Sequence, residues 1–189
     1  VGMYEISISV DYADPAKHDK QRGKKGAFDR ATKALKILHE NRVHPHQRVH
    51  MISVVMDDNL DHIEPLIKLA EEIGVTYLVT FYSTNRGKKP TKVFDQDISS
   101  YLLSLQKKHR NFASIPGYLA QFSTAVHNDK GVTPCYAGKN LMNIDCQGDV
   151  TLCIDHLDNP AGNIFTDDMS TLKKKLLEQH RQNDCGDCW

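Results

Sequence analysis

The chain has 189 residues, 40% of them hydrophobic and 25% charged, which is ordinary for a globular protein and enough for one or two domains. Lys and Arg together number 24, as do Asp and Glu, so no net basic field attracts a phosphate backbone, and we expect no nucleic-acid partner. No apolar run approaches the roughly 20 residues that span a bilayer, and the first residues lack the regions of a signal peptide, so we expect a cytoplasmic protein without a membrane segment.

Strands and helices alternate along the first part of the chain. Residues 3–10 alternate apolar and polar side chains, which predicts a strand with one face toward a polar interior. Residues 11–25 are interpreted as a polar connection. Residues 26–41 place apolar side chains at helical spacing and predict a helix. Residues 49–56 form an apolar run rich in β-branched side chains, which predicts a buried strand.

The alternation continues with a predicted helix over residues 60–73, which Gly74 ends, and a third strand over residues 75–82. Strands and helices that alternate with connections of this length predict a parallel sheet built from βαβ units. Three strands cannot close a barrel, so the first strand would present an unpaired edge. Such an edge favours association with another chain.

The pattern changes from about residue 95 onward. The spacing of apolar residues predicts one helix over residues 97–111 and a second over residues 115–126, broken by Pro116-Gly117. The apolar face of an amphipathic helix usually packs on a core, so we interpret both helices as covering the sheet.

A hairpin is predicted in the last third of the chain. Residues 141–145 and 150–154 form its two strands, and Gly148 lies in the turn between them. The second strand would carry Cys153. The turn holds Cys146, which we interpret as an ordinary buried cysteine because free cysteine behaves as a small hydrophobe. The alternative is a fifth thiol near a metal.

Four cysteines of this region have the spacing of metal ligands. Twelve residues separate Cys135 from Gly148, four more lead to Cys153, and a Cys-Gly-Asp-Cys turn carries Cys185 and Cys188. Thiolates from two distant turns can converge on one tetrahedral Zn²⁺ or one iron-sulfur cluster. Cysteines grouped in this way fit a reducing compartment better than a disulfide framework. The spacing alone leaves both metals open.

The residues around these cysteines resemble the start of a SPASM domain, the auxiliary-cluster module of many radical S-adenosylmethionine enzymes. The resemblance rests on the segments Cys135-Tyr-Ala-Gly, Gly148-Asp-Val-Thr-Leu-Cys153, Pro160-Ala-Gly-Asn and Cys185-Gly-Asp-Cys188. Farther upstream the chain resembles the fourth strand and helix of the radical enzyme barrel, in Glu5-Ile-Ser-Ile-Ser9-Val-Asp11, His18-Asp19, Arg22-Gly23 and Gly26-Ala-Phe28-Asp29. The two parts occur in the family's order and together cover nearly the whole chain.

The resemblance implies an α/β fold class with three parts. Residues 1–94 would be the C-terminal portion of a partial (β/α) radical-enzyme barrel, residues 95–134 a helical connection, and residues 135–189 a small cysteine-rich α+β SPASM-type module. The family binds its catalytic 4Fe-4S cluster through a Cys-x-x-x-Cys-x-x-Cys loop, which this chain lacks because Cys135 is its first cysteine. We therefore expect a portion of a larger enzyme, truncated at both ends and inactive by itself.

The resemblance also implies which metal the cysteines bind. Auxiliary 4Fe-4S clusters are expected, and zinc is the alternative metal for four thiolates. The resemblance implies two clusters, with Cys135 and Cys153 binding the first and Cys185 and Cys188 binding the second. The remaining ligands of both clusters would lie beyond Trp189.

Residues near the N-terminus are expected to bind S-adenosylmethionine. In the resembling family, a Ser-x-Asp at the end of the fourth strand and the Arg after His-Asp lie near the ribose and carboxylate of this cofactor. The corresponding residues are Ser9, Asp11 and Arg22. A guanidinium can bind a carboxylate through two parallel hydrogen bonds, which suits Arg22 to that role. Tyr12 stands where the family often has Gly.

The resemblance implies a radical S-adenosylmethionine oxidoreductase or maturase. A reduced cluster would cleave the cofactor to a 5′-deoxyadenosyl radical, which abstracts hydrogen from a peptide, a protein or a small molecule, and an electron donor would be a partner. Asp155, or the neighbouring His156, would be a base that accepts a proton from a radical intermediate. Two alternatives remain: a standalone metal-binding or electron-transfer module, and a zinc-type interaction domain joined to an unrelated βαβ unit.

Overall fold

The computed structural model describes residues 4–82, 97–127 and 134–185. Contacts divide the chain into two compact units, Val1–Val126 and His127–Trp189. The first unit contains a parallel sheet with helices and the second a small antiparallel sheet with a helix, which confirms the predicted α/β fold class. The helical segments between residues 97 and 126 belong to the first unit, and the boundaries after residues 94 and 134 stay predictions.

The sheet of the first unit contains β1 (Glu5–Ser9), β2 (Arg48–Val55) and β3 (Thr76–Phe81), in the order β1-β2-β3. All three predicted strands are confirmed, and so is their parallel pairing. Parallel neighbours require a long crossover between them, which the intervening helices provide. β1 lies at one edge of the described sheet, as expected, and association through that edge stays a prediction.

The two faces of this sheet differ in burial. Met51 and Tyr77 are neighbours across β2 and β3, and both are fully buried. On the opposite face Ile52 and Leu78 are neighbours and are only half-buried, and Ser9 beside Ile52 is exposed. One face therefore belongs to the core, and the other is partly open and carries polar groups, as the alternation along β1 predicted.

The core of the first unit forms where α2 (Ala27–Glu40) and α3 (Leu60–Ile73) pack on the strands. The structure confirms both predicted helices, with bounds that agree to within one residue. Their apolar side chains recur at the helical period, so burying one face of each helix fills the space over the sheet. The residues that they bury most deeply are Leu35, Ile63, Leu66, Ile67 and Ala70.

A helix that the sequence analysis missed follows β1. α1 (Pro15–Arg22) lies in the segment interpreted as a polar connection. Asp14 caps this helix by accepting a hydrogen bond from the Lys17 N–H at 2.8 Å, and Gly23 ends it with a φ of 64°, which glycine adopts without steric cost. Its single buried residue is His18, so no apolar stripe marked the segment as helical.

The later part of the first unit contains α4 (Ile98–Lys108), α5 (Pro116–Leu119) and α6 (Phe122–His127). The helix predicted over residues 97–111 is confirmed. The break expected at Pro116-Gly117 is wrong, because Pro116 is the first residue of α5, where its missing N–H leaves no bond unmade. The interruption falls instead between α5 and α6.

The chain between α4 and α5 runs beside β3. The Tyr77 N–H donates to the Asn111 carbonyl at 2.7 Å, and the Ala113 N–H donates to the Tyr77 carbonyl at 2.9 Å. The Val79 N–H donates to the Ser114 hydroxyl at 3.0 Å. These bonds satisfy part of the outer edge of β3, which would otherwise expose unpaired backbone groups.

The second unit contains β4 (Asn143–Ile144), β5 (Asp149–Thr151), β6 (Gly162–Asn163) and α7 (Met169–Gln182). β4 and β5 confirm the predicted hairpin, and β6 pairs with β5 on its other side. The hairpin is shorter than expected, because β5 ends before Cys153. A small apolar core holds the unit together, formed by Val150, Ala161, Leu172 and Leu176.

A turn replaces the end of the predicted second strand. The Thr151 hydroxyl donates to the Cys153 carbonyl at 3.2 Å, and the His156 N–H donates to the same carbonyl at 3.3 Å. Cys153 and His156 are paired in an isolated antiparallel bridge. The prediction that Cys153 lies on the strand is therefore wrong, and this cysteine begins a tight turn instead.

Within residues 4–82, 97–127 and 134–185, the longest helices are α2, α3 and α7, with 14 residues each. In the part of the chain that the structure describes, no helix combines the length and the apolar character needed to cross a membrane. The cytoplasmic location stays a prediction.

The buried His18 should make the stability of the first unit depend on pH. Burial, together with the nearby Arg22, lowers the pKa of His18 below its ordinary value of 6.5. The Asp11 N–H donates to its Nδ1 at 3.2 Å, which requires that nitrogen to be unprotonated. Below pH 6.5 the unfolded chain therefore takes up a proton that the folded chain does not, and the free energy of unfolding falls.

We expect the His18→Gln variant to lose part of this pH dependence, because an amide can accept the same hydrogen bond without titrating. Urea denaturation at about pH 7.5 and about pH 5.5 measures the difference, which should be smaller in the variant than in the wild type. His44→Gln is the control, because His44 is exposed. An undiminished difference in His18→Gln would contradict the prediction.

Candidate cofactor and metal sites

Asp11 is a carboxylate buried at the carboxyl end of β1. Its Oδ1 accepts a hydrogen bond from the Val54 N–H at 2.9 Å, and its Oδ2 forms an ion pair with Arg22 at 2.6 Å. The residue has no accessible surface. A carboxylate is tolerated in such a place only when it is paired and hydrogen-bonded. These contacts fix the end of β1 to both β2 and α1.

Asn59 completes the connection between the ends of β1 and β2. This residue is fully buried, and its Nδ2 donates to the Asp11 carbonyl at 2.9 Å and to the Val54 carbonyl at 2.8 Å. Its Oδ1 accepts from the Met56 N–H at 2.8 Å. The sequence analysis assigned Asn59 no role. The available signal was its place in the short loop between β2 and α3, at the carboxyl end of a parallel strand, where ligand sites of such folds form.

The structure brings Asp11 and Arg22 together. The Arg22 side chain is 37% exposed, and its contact with Asp11 uses Nη2. A guanidinium has five N–H donors, so Arg22 can hold Asp11 and a ligand carboxylate at the same time. Ser9 is exposed on β1, two residues before Asp11. The binding of S-adenosylmethionine by Ser9, Asp11 and Arg22 stays a prediction.

Tyr12 and His62 lie beside this end of the sheet. The Tyr12 hydroxyl donates to Asp58 at 2.8 Å, and its ring meets the His62 ring edge-on at 5.3 Å. Burial and the bond to Asp58 raise the pKa of Tyr12, which keeps the phenol protonated. His62 Nδ1 accepts from the Ala13 N–H at 3.2 Å, and Lys17 Nζ lies 3.1 Å from its Nε2. These contacts stabilise the turn at Tyr12, the position at which the family that the sequence resembles often has Gly.

Cys135 lies where its loop passes close to α7. Asn183 Nδ2 donates to the Cys135 sulfur at 3.5 Å. Gly138 has a φ of 80°, and a Cβ at that position would lie 2.7 Å from the Leu176 carbonyl oxygen. Only glycine therefore permits this approach without displacing the helix backbone.

Cys153 and Asp155 share the turn that follows β5. The Asp155 N–H donates to the Cys153 sulfur at 3.3 Å. Asp155 is half-buried. The structure thus brings the predicted base next to a predicted metal ligand, and the catalytic role of Asp155 stays a prediction.

Cys185 follows the end of α7. Its N–H donates to Asn183 Oδ1 at 3.1 Å, and His156 Nε2 lies 3.1 Å from its sulfur. Asn183 therefore contacts both Cys185 and Cys135, and His156 links Cys185 to the turn that holds Cys153. The structure brings these three predicted ligands into one region of the second unit.

The cysteines of this region have the donor atoms of a thiolate metal site. Cys135, Cys153 and Cys185 are half-buried, and each sulfur lies within 3.5 Å of a nitrogen atom. N–H groups around a cysteine sulfur stabilise the thiolate that binds a metal. Among the described residues, no three His, Cys, Asp or Glu side chains are grouped so that they could hold a metal ion. Cys188, the fourth predicted ligand, lies outside the described residues.

Cys146 differs from the expectation that it is a buried cysteine. It is exposed at the hairpin turn, and its thiol donates to Gln147 Oε1 at 3.1 Å. A residue at the tip of a two-stranded turn has no second layer to cover it, which explains the exposure. The proposal that Cys146 is a fifth thiol near a metal stays untested.

A pocket of about 390 Å³ lies beside Cys185 and His156. Among its lining residues, His156 is the one whose side chain can carry a positive charge. Amide groups predominate in the remainder of the lining, which consists of Leu152, Asn159, Gln179, Gln182, Asn183 and Asp184. The pocket therefore suits a polar neutral group better than an anion.

The fold is similar to that of a solved protein that binds S-adenosylmethionine. The crystal structure of Streptococcus suis SuiB bound to S-adenosylmethionine matches this chain with a TM-score of 0.56 and 18% sequence identity, over 87% of this chain and 40% of that one. A likeness at this identity shows the fold alone. No family model matches the chain.

Sequence relatives agree with that fold. The AdoMet-dependent heme synthase of Methanosarcina barkeri is 26% identical to 99% of this chain and 60% of its own length. The protein of the same name from Nitratidesulfovibrio vulgaris is 26% identical over 80% of this chain and 43% of its own length. The chain is thus related to the radical S-adenosylmethionine enzymes, as the resemblance predicted, and it spans 60% of the length of the first of these relatives.

The pairing of Asp11 should contribute strongly to the stability of the first unit. We expect Asp11→Asn to lower the free energy of unfolding by about 1–3 kcal/mol, since it removes the charge that faces Arg22. The partial exposure of Arg22 keeps the loss below that of a fully buried pair. Urea denaturation measures the change. Glu71→Gln, at an exposed position of α3, is the control and should change stability by no more than about 0.5 kcal/mol. Equal stabilities of the two variants would contradict the prediction.

Proposed function

We propose that this chain is part of a radical S-adenosylmethionine enzyme and supplies one side of the cofactor site together with an auxiliary iron-sulfur module. The observation that carries the proposal is the gathering of Cys135, Cys153 and Cys185 in one region of a chain related to these enzymes. By itself the chain would be inactive, because it has no cysteines for the catalytic cluster before Cys135.

The cofactor would bind at the carboxyl ends of β1 and β2. Arg22 would bind the carboxylate of S-adenosylmethionine through the donors that Asp11 does not use. The buried Asp11 would hold the guanidinium in place, since one of its oxygens is already bonded to the Val54 N–H. Ser9, exposed on the open face, would contact the ribose through its hydroxyl. When bound, the cofactor and the catalytic cluster supply a 5′-deoxyadenosyl radical.

The second unit would hold one or two auxiliary 4Fe-4S clusters. Cys135 and Cys153 would bind one cluster, and Cys185 and Cys188 would bind the second. The N–H donors at the sulfurs of Cys135 and Cys153 support this assignment, because they lower the cost of keeping a thiolate half-buried. An auxiliary cluster would bind the substrate or carry an electron. A reducing protein or small molecule would then be needed as the electron donor.

Asp155 would be the base that takes a proton from the substrate. Its backbone N–H is bonded to the Cys153 sulfur, so a substrate held near that cluster would lie within reach of the Asp155 side chain. His156, the next residue, has its imidazole at Cys185 and is the less suitable of the two.

The substrate of the whole enzyme would be a tetrapyrrole. The support for this choice over a peptide is the shared name of the curated relatives, AdoMet-dependent heme synthase, in three organisms. The third of these relatives comes from Oleidesulfovibrio alaskensis and is 23% identical over 80% of this chain.

A zinc module is the second candidate function. The contact between His156 Nε2 and the Cys185 sulfur favours it, because zinc binds imidazole nitrogen and thiolate sulfur in one tetrahedral site. In that case the chain would be a zinc-type interaction module.

Metal and sulfide analysis of protein prepared without oxygen tests the iron-sulfur assignment. We expect about four iron atoms and four sulfides for each cluster, and a loss of at least roughly half of the iron in Cys135→Ala or Cys185→Ala. Cys146→Ala is the matched control, because that thiol is exposed and donates to its neighbour Gln147. Stoichiometric zinc with no labile sulfide would favour the zinc module instead.

Equilibrium dialysis with labelled S-adenosylmethionine tests the cofactor site. We expect Arg22→Lys to weaken binding about tenfold or more, since an ammonium keeps the charge and loses the two-pronged geometry. Arg42→Lys is the control, because Arg42 is an exposed arginine that donates to the carbonyl of His39. Unchanged affinity in Arg22→Lys, with the fold verified by circular dichroism, would remove Arg22 from the site.

A further inference from the structure

We propose that this chain binds a second copy of itself through two different faces of opposite charge. One is the hairpin face, an acidic and apolar surface of the second unit, and the other is the basic face of α2 in the first unit. The hairpin face consists of Ile144, Asp145, Ile164 and Phe165, and the basic face consists of Arg30, Lys33, Lys36 and Ile37. Neither face contains a residue of the proposed cofactor and metal sites.

The apolar side chains of the hairpin face lie together at the turn of the hairpin. Ile144 ends β4, and the Ile164 N–H donates to the Gly148 carbonyl at 2.9 Å. The Phe165 ring lies against Gly148, where an added Cβ would come within 2.5 Å of a ring carbon. Phe165 is nevertheless 78% exposed. An aromatic ring that is held in place and left open to water is suited to bury apolar surface on a partner.

The surroundings of the hairpin face are acidic. Residues 140–172 contain six Asp and no Glu, Lys or Arg. One of the six is Asp145, which lies in the hairpin turn and accepts from the Gln147 and Asp149 N–H groups at 2.8 and 2.9 Å. A protein partner of this face therefore needs apolar side chains with positive charges around them.

The basic face of α2 has that composition. Residues 17–36 contain eight Lys and Arg and only two Asp. Arg30, Lys33 and Ile37 follow one another at i, i+3 and i+7, so they share the side of the helix opposite the buried Leu35. Ile37 is 48% exposed, which places an apolar side chain among the positive charges.

The positive charge of the basic face is not offset locally. In the part of the chain that the structure describes, Lys33 and Lys36 take part in no ion pair. Asp19, one of the two carboxylates of this segment, is used elsewhere, because its oxygens accept from the Gly26 and Phe28 N–H groups at 2.5 and 3.0 Å. The lysines are therefore available to carboxylates of another chain.

A second copy of this chain is the partner that fits both faces. The chain as a whole is neutral, since Lys and Arg number 24 and so do Asp and Glu, and the two segments described above place opposite charges in different units. Contact between the faces buries Phe165 and Ile37 and brings Asp near Lys. A nucleic acid would pair with the basic face alone and would leave both apolar side chains exposed.

Sedimentation velocity of the full chain, over a wide range of concentrations and at low and high salt, tests the proposal. A reductant is present, because the exposed Cys146 would otherwise form disulfide-linked dimers. Lys33→Glu disrupts the basic face, and Phe165→Ser disrupts the hairpin face. Lys107→Glu and Ile115→Ser are the matched controls, because both residues are exposed and lie outside the two faces. Circular dichroism verifies the fold of each variant.

We expect the wild type to associate reversibly and less strongly at high salt, since salt screens the exposed charges. Lys33→Glu and Phe165→Ser should each raise the dissociation constant at least about tenfold, and the two controls should leave it unchanged. A mixture of Lys33→Glu and Phe165→Ser should associate more strongly than either variant alone, because each chain keeps the face that the other has lost.

Three outcomes would overturn the proposal. One is a wild-type chain that stays monomeric at every concentration. Another is association that neither Lys33→Glu nor Phe165→Ser weakens, as contact through the open edge of β1 would give. The third is a mixture of the two variants that associates no better than each alone, which would indicate contact between identical faces. All three results leave the cofactor and iron-sulfur assignments standing, because they concern other residues.

Discussion

The buried carboxylate of Asp11 is the constraint on which the first unit depends. A charge without access to water must be paired, and here an ion pair to Arg22 and a backbone bond from Val54 supply the partners. Those partners lie on α1 and β2, so satisfying one carboxylate fixes the mutual placement of three elements. Asn59 adds the loop before α3 to the same arrangement. The proposed cofactor site is therefore built on a rigid support, with only the exposed part of Arg22 left to meet a ligand.

The second unit is stabilised in a different way. Among its described residues, the apolar core consists of four small or medium side chains, which is little for a compact unit of this size. Polar contacts around the cysteines supplement that core, through Asn183 between Cys135 and Cys185 and through His156 beside Cys185. A metal bound by these sulfurs would couple binding to folding, because the ligands come from separate loops. The same loops would then determine both the stability of the unit and the properties of the metal.

Local periodicity made much of the fold predictable. α2 and α3 have apolar residues at helical spacing, and the strands are short apolar or alternating runs, so their existence and parallel order could be derived from the sequence. α1 could not, because a helix whose single buried residue is His18 has no apolar stripe to detect. The position of the hairpin was predicted correctly, but its second strand was predicted too long. The hydrogen bonds that turn the chain at Cys153 come from the Thr151 hydroxyl and the His156 N–H to the Cys153 carbonyl. Such bonds do not produce a periodic pattern of apolar residues in the sequence.

By itself the sequence determined the order of the elements, the spacing of the cysteines and the relation to a family of enzymes, because these properties lie in local patterns of residue type. The tertiary structure alone decided which side chains meet. Arg22 reaches Asp11 across a turn and a helix, and His156 reaches Cys185 across 29 residues of chain. A contact of this kind depends on how distant segments pack, and the free energy that selects it comes from burial and pairing of charges in the folded state.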